Sequence, residues 1–104
     1  MLDEALDYIA NEMETWPLMS VNELITTFTT GPIRLKLYLA LLKQHPMLRV
    51  SKTILILDMI SIAFKMNFYD RDTPTRSKGF YADCLIGGTV RQTLLHLMAE
   101  EALK

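Results

Sequence analysis

The chain is 104 residues long, half of its residues are apolar, 22% are charged, and its net charge is -1. This length suits one domain with a single core, and the apolar content excludes a disordered chain. One cysteine, Cys84, excludes an intrachain disulfide and indicates a reducing compartment, so we expect a cytoplasmic protein.

The first predicted helix covers residues 2–15. Apolar side chains recur along it at three- and four-residue spacing, as on one face of a helix: Leu2, Leu6, Ile9, Met13 and Trp16. Asp3 and Glu4 lie where the helix dipole favours negative charge, and Pro17 ends the helix. The segment 1–16 is therefore an acidic amphipathic helix, which belongs either to the core or to an interface.

Two further helix starts follow. Ser20 and Glu23 match a capping box, which predicts a short helix that ends before Gly31. Pro32 suits the first position of a third helix, residues 32–45. Apolar and polar residues alternate there as in a strand, but the leucine and alanine content favours a helix. Because this helix is apolar nearly all round, we expect it at the centre of the bundle.

The second half contains two more helices and two less regular segments. Ser51 is the expected N-cap of a helix over residues 52–67, and residues 67–79 are expected to form a long loop. Residues 80–86 fit a short strand or a helical turn equally well. The final helix opens with a second capping box, Thr89 to Gln92. The helix after Ser51 is too short and too charged to span a bilayer, so we expect no membrane partner.

These elements predict a mainly α fold, a compact bundle of about five helices with a core like that of a helix-turn-helix protein. We expect one domain, residues 1–104, with the acidic helix 1–16 followed by a basic body, residues 20–104. Residues 1–23 hold six acids and no base, whereas residues 24–98 hold ten bases and four acids. This asymmetry indicates either a charge-separated surface without a target or a basic body that meets an anionic partner.

Patterns of catalytic or metal-binding residues are missing. Cys84 and His96 could pair as nucleophile and base, but no local signature accompanies them. Neither histidine has a further ligand at zinc-site spacing, and Asp70 and Asp72 lack the glycine and glutamate of a calcium loop. We therefore expect no enzymatic activity, no metal, no cofactor and no small-molecule substrate.

The final helix resembles a known superfamily. Its opening, Thr89-Val90-Arg91-Gln92-Thr93-Leu94, resembles the recognition helix of bacterial winged helix-turn-helix regulators, and residues 32–104 have the helix order of such proteins. The resemblance implies a small, dimeric, DNA-binding transcriptional regulator. The base-facing residues would be Thr89, Arg91, Gln92, Thr93 and His96. Phosphates would meet Arg34, Lys36, Lys43, Arg49, Lys52, Arg71, Arg76 and Lys78. In the usual motif a short turn joins the last two helices, whereas about twenty residues separate the helix over residues 52–67 from Thr89.

The alternative hypothesis is a non-enzymatic protein-binding adaptor or inhibitor, such as a phage- or plasmid-encoded modulator of a host complex. The apolar content, seven methionines and the acidic first helix favour it. The face with Leu2, Leu6, Ile9, Met13 and Trp16 would then dock a partner or a second copy of the chain. A third hypothesis joins the two: the acidic helix covers the basic face in one state and releases it in another.

Overall fold

A computed structural model describes residues 1–68 and 77–104, and these residues fold into a mainly α bundle without a strand. The mainly α class predicted from the sequence is thereby confirmed, with six helices among the described residues in place of about five. The helices are α1 (Leu2–Met13), α2 (Val21–Thr29), α3 (Pro32–Gln44), α4 (Val50–Phe68), α5 (Phe80–Gly87) and α6 (Thr89–Ala102).

The longest helix, α4, is the centre of the bundle. It packs against α2, α3 and α6, while α1 packs against α5, and α5 packs against α6. The ring of Phe64 on α4 stacks on Phe28 of α2, with 6.2 Å between ring centroids, and meets the edge of Tyr81 on α5 at 5.8 Å. This aromatic cluster joins the middle helices to the C-terminal half of the domain.

Local start signals are confirmed in the first half of the chain. The backbone N–H of Glu23 donates to the Ser20 hydroxyl, and the Glu23 carboxylate accepts from the Ser20 N–H, both at 3.2 Å. Pro32 occupies the first turn of α3 after Gly31, whose φ of +95° favours glycine. The chain can therefore reverse direction sharply between α2 and α3.

The first helix is part of the domain's own core. Leu6 and Ile9 are fully buried, Met13 is almost so, and Trp16 packs on Phe28 with ring centroids 5.5 Å apart. The apolar face of α1 is consequently covered by this chain and is not presented to a partner. Of the two roles left open for residues 1–16, the structure shows the core role.

The expected central position of α3 is wrong. Only Leu37 and Leu41 of this helix are buried, whereas Leu35 and Leu39 are 57% and 56% exposed. The cause is that α3 packs against α4 and α2 and borders α1 through a groove, and these helices leave the face with Leu35 and Leu39 mostly uncovered. Of the two apolar faces of α3, only the one with Leu37 and Leu41 is buried.

Several predicted boundaries are also corrected. The first residue of α4 is Val50, because the Arg49 carbonyl accepts from the Thr53 N–H at 2.9 Å, so Ser51 lies inside the first turn. Asn67 belongs to α4 and not to a loop. Residues 80–86 lie in α5, and the N-cap of α6 is Gly88, so Thr89 forms no capping box. Most of the predicted loop, residues 69–76, lies outside the described residues.

Candidate functional site

The outward face of α6 carries part of the predicted base-reading set. Thr89, Gln92 and His96 are exposed and recur at three- and four-residue spacing, so they share one face of the helix. Thr93 is partly buried, and its hydroxyl accepts a hydrogen bond from the Asn67 amide on α4 at 3.0 Å. Three of the five predicted residues are therefore available to a ligand on this face.

Arg91 is directed inward, and the expectation that it is exposed is wrong. Its side chain is 15% exposed and donates to the backbone carbonyl of Leu85 on α5 at 3.1 Å. It also forms an ion pair with Asp3 on α1, and its Nη1 lies 3.9 Å from Asp7 Oδ1. Arg91 thus joins α1, α5 and α6, a role that depends on which helix lies opposite and that leaves no local signal in the sequence.

The predicted phosphate-binding residues divide into three groups. Arg34 is held by Asp58 on α4, 2.8 Å away, and donates to the Phe28 carbonyl. Arg71 and Arg76 lie outside the described residues. The remaining bases are exposed: Lys36, Lys43, Arg49, Lys52 and Lys78. Four of these five lie on α3, on the α3–α4 connection or at the start of α4, so exposed positive charge is gathered there.

The helix before α6 along the chain is α5, and the two helices pack against each other. Gly88 alone separates the two helices, and it serves as the last cap of one and the first cap of the other. A Cβ atom at Gly88 would lie 3.1 Å from the Cα of Cys84. A single residue therefore joins α5 to α6, whereas the sequence pattern had assigned the preceding helix to residues 52–67.

Acids of α1 meet bases elsewhere in the chain. Asp3 and Asp7 face Arg91, and Glu4 Oε2 lies 3.9 Å from Nδ1 of His45 at the end of α3. Some acids of the first helix thus pair with basic side chains of the same molecule, which offsets part of the charge asymmetry seen in the sequence. The exposed bases of α3 and α4 have no such ion pair among the described residues.

A surface that the sequence did not predict extends over α3 and the start of α4. We call it the α3–α4 patch. Its members are large apolar side chains with exposed fractions between 39% and 82%: Leu35, Leu39, Met47, Val50 and Ile54. Leu35 and Ile54, together with Tyr38, line one groove, which is closed on one side by the end of α2 and the turn to α3. The α3 and α4 parts of the patch therefore meet at Leu35 and Ile54.

The antiparallel pairing of α3 and α4 produces this patch. Arg34 contacts Asp58 at one end of the pair, and a short connection joins the helices at the other end. Leu35 and Leu39 lie one turn apart on α3, as do Val50 and Ile54 on α4, so each pair forms a row along its helix. A signal was present in the sequence: Leu35 and Leu39 lie on a different face of α3 from the buried Leu37 and Leu41.

Positive charge borders the α3–α4 patch. Lys36 lines a groove with Tyr8 and Glu12 of α1, so it lies on the side of α3 that faces α1. Lys43 follows Leu39 by one turn, and Arg49 and Lys52 flank Val50 in the sequence. Between Arg34 and Lys52 the chain contains five bases and no acid.

Within residues 1–68 and 77–104, no three histidine, cysteine or acidic side chains come close enough to hold a metal ion. None of the helices in this part of the chain combines the length and apolar character needed to cross a membrane. The described residues thus form an all-α domain of six helices with exposed apolar side chains on α3 and α4 and exposed bases near them. Comparison with protein-family models, with curated proteins and with solved structures gave no match to this chain.

Proposed function

We propose that the protein is a non-catalytic, cytoplasmic protein-binding adaptor or inhibitor, and that it binds its partner through the α3–α4 patch. The observation that carries this proposal is the exposure of five large apolar side chains on α3, on the α3–α4 connection and at the start of α4. Scattered apolar residues are normal on a protein surface, but a contiguous group of them marks an interaction site. Burying one leucine or valine side chain stabilises a complex by about 1.5–3 kcal/mol.

This proposal moves the binding surface away from α1. The apolar face of α1 is buried against the rest of the chain, so its exposed residues are polar, for example Asp7 and Asn11. By contrast, Leu39 and Met47 present most of their surface to solvent. A partner therefore gains apolar contact area on α3 and α4, which α1 does not offer.

The test is affinity purification of the full chain from the cells that produce it. The double variant Leu35→Ser, Leu39→Ser removes the α3 row, and Asn11→Ser is the matched control on an exposed part of α1. We expect one protein to be retained by the wild type and by Asn11→Ser and lost with the double variant, while circular dichroism shows equal helix content. Equal retention by all three forms, or none by any, would refute the α3–α4 patch as the binding surface.

The second candidate function is the DNA-binding transcriptional regulator. The observation that favours it is the common outward face of Thr89, Gln92 and His96 on a helix that follows α5 after a single residue. These side chains can donate to and accept from base edges. In this proposal Arg91 reaches DNA only when it leaves Asp3 and Asp7, as the hypothesis of a covering acidic helix requires.

Fluorescence anisotropy with duplex DNA tests this second candidate. Binding that weakens steeply with salt would support phosphate contacts, and Gln92→Ala should then reduce sequence preference. Asp3→Asn with Asp7→Asn should tighten binding, because the substitution frees Arg91. No binding at low salt by either form would exclude the regulator.

A further inference from the structure

We infer that the partner of the α3–α4 patch presents an acidic amphipathic helix, an inference that rests on the proposed protein-binding function. The shape of the patch is the first reason. Leu35 and Tyr38 of α3 and Ile54 of α4 line a groove that continues to the turn between α2 and α3, and an apolar groove of this kind can accept an amphipathic helix. Helix-in-groove recognition of this kind uses apolar anchors at three- and four-residue spacing.

The charge around the groove is the second reason. Lys36 and Lys43 are exposed along the outer side of α3, and Arg49 and Lys52 are exposed at the start of α4. The first turn of α4 contains no acid, so the positive end of its dipole adds to the same field. A helix with glutamate or aspartate on both sides of its apolar stripe matches this border, whereas a basic helix is repelled by it.

A second copy of the chain does not match the patch. A symmetric dimer would place the two borders of bases against each other, and like charges at an interface oppose association. The acidic surface of α1 does not match it either, because Leu6, Ile9 and Met13 are buried and its exposed side chains are polar. The missing apolar stripe and the acids must therefore come from another protein.

The inference is tested with the full chain and a pair of labelled synthetic peptides. The probe is a peptide of about four helical turns with leucines along one face and glutamates beside them, and its match carries lysine in place of every glutamate. Fluorescence anisotropy should show the acidic peptide binding at least about tenfold more tightly than the basic one, with affinity that falls as salt rises. Equal affinity for the two peptides, or no binding of the acidic one, would overturn the inference.

Variants of the chain locate the binding and separate charge from apolar contact. Lys43→Glu with Lys52→Glu should reverse the preference between the two peptides, and Leu39→Ala should weaken both by about tenfold. Lys78→Glu, an exposed base on another part of the surface, should leave both affinities unchanged. A charge variant that binds both peptides like the wild type would also overturn the inference.

These outcomes distinguish failure of the acidic-helix inference from failure of the proposed protein-binding function on which it rests. If both peptides bind equally and Leu39→Ala weakens both, the α3–α4 patch is a binding site and only its acidic specificity is refuted. If neither peptide binds and the affinity purification retains no protein, the proposed function fails as well. Vesicles containing anionic lipid are tested in parallel, and their binding in place of the acidic peptide would assign the patch to a membrane surface and overturn the inference.

Discussion

The guanidinium of Arg91 on α6 donates a hydrogen bond to the carboxylate of Asp3 on α1, a residue 88 positions earlier in the chain. The same guanidinium donates to the Leu85 carbonyl, so one side chain links the first helix to the last two. The two partners differ in their surroundings: the Arg91 side chain is 15% exposed and that of Asp3 is 75% exposed.

This difference predicts unequal effects of the two substitutions. Arg91→Ala removes a covered charged donor and leaves the Leu85 carbonyl without it, so we expect a loss of about 1–2 kcal/mol in the free energy of unfolding. Asp3→Asn alters the exposed partner of the ion pair and should change the free energy of unfolding by less than about 1 kcal/mol. Urea unfolding measures both free energies. The control is Gln92→Ala at an exposed position, which should change the free energy of unfolding by no more than about 0.5 kcal/mol. Similar losses in all three variants would contradict the structural role of Arg91.

The adjacent glycines between α5 and α6 should respond in opposite directions to alanine. A Cβ atom at Gly87 has open space, and its φ is not positive, so Gly87→Ala should stabilise the fold by about 0.5–1 kcal/mol. At Gly88 the new Cβ would lie 3.1 Å from Cys84 Cα and 3.2 Å from the Cys84 carbonyl oxygen, which are both backbone atoms. Gly88→Ala should therefore destabilise by about 1–3 kcal/mol. Thermal unfolding midpoints that move in the same direction would contradict this account of the junction.

Phe64 should be among the most sensitive core positions. Its ring is fully buried and contacts the rings of Phe28, Phe68 and Tyr81. Phe64→Ala removes these contacts and leaves a cavity, so we expect a loss of about 3–5 kcal/mol in urea unfolding. Ile62 on the same helix is 39% exposed, and Ile62→Ala should cost less than about 1.5 kcal/mol. Comparable losses at the two positions would show that the core is arranged differently.

Tyr8 provides a pH-dependent test. Burial raises the pKa of Tyr8 above its ordinary value of 10.0, and the hydrogen bond and negative charge of Glu12 raise it further. A raised pKa contributes stability that is complete below the unfolded-state pKa and is lost as pH rises through the folded-state pKa. The stability of the wild type relative to Tyr8→Phe should therefore be constant up to about pH 9 and fall at higher pH.

The measurement is urea unfolding of both proteins at a series of pH values. Glu12→Gln removes the nearby charge while keeping a hydrogen-bond acceptor, so it should reduce this fall. Stability curves for wild type and Tyr8→Phe that stay parallel to the highest pH would contradict the raised pKa.

Sequence reasoning succeeded where the determining interactions are local. Ser20 and Glu23 satisfy each other three residues apart, and the proline ring at Pro32 suits a helix start whatever lies around it. The same applies to the apolar stripe of α1, since its helical spacing is a property of adjacent turns. The mainly α class followed from such local signals.

The errors concern packing between distant elements. The apolar residues of α3 predict burial, but only a neighbouring element can cover them, and Leu35 and Leu39 stay more than half exposed. In the same way the position of Arg91 in the first turn of α6 does not reveal that α1 lies opposite. The run of bases from Arg34 to Lys52 was visible in the sequence. The α3–α4 patch was not, because its two rows of apolar residues come together only when α3 pairs with α4.

The position of α1 also has a consequence for synthesis of the chain. Its packing partner is α5, and the hydrogen bond of Asp3 joins it to a residue 88 positions later, so its contacts close a long loop. Because contacts of large sequence separation tend to form late, we expect Leu6 and Ile9 to stay uncovered on the ribosome until α5 and α6 have emerged. The nascent chain would therefore expose the apolar face of α1 during most of its translation. We expect a chaperone that binds this face to raise the yield of folded protein.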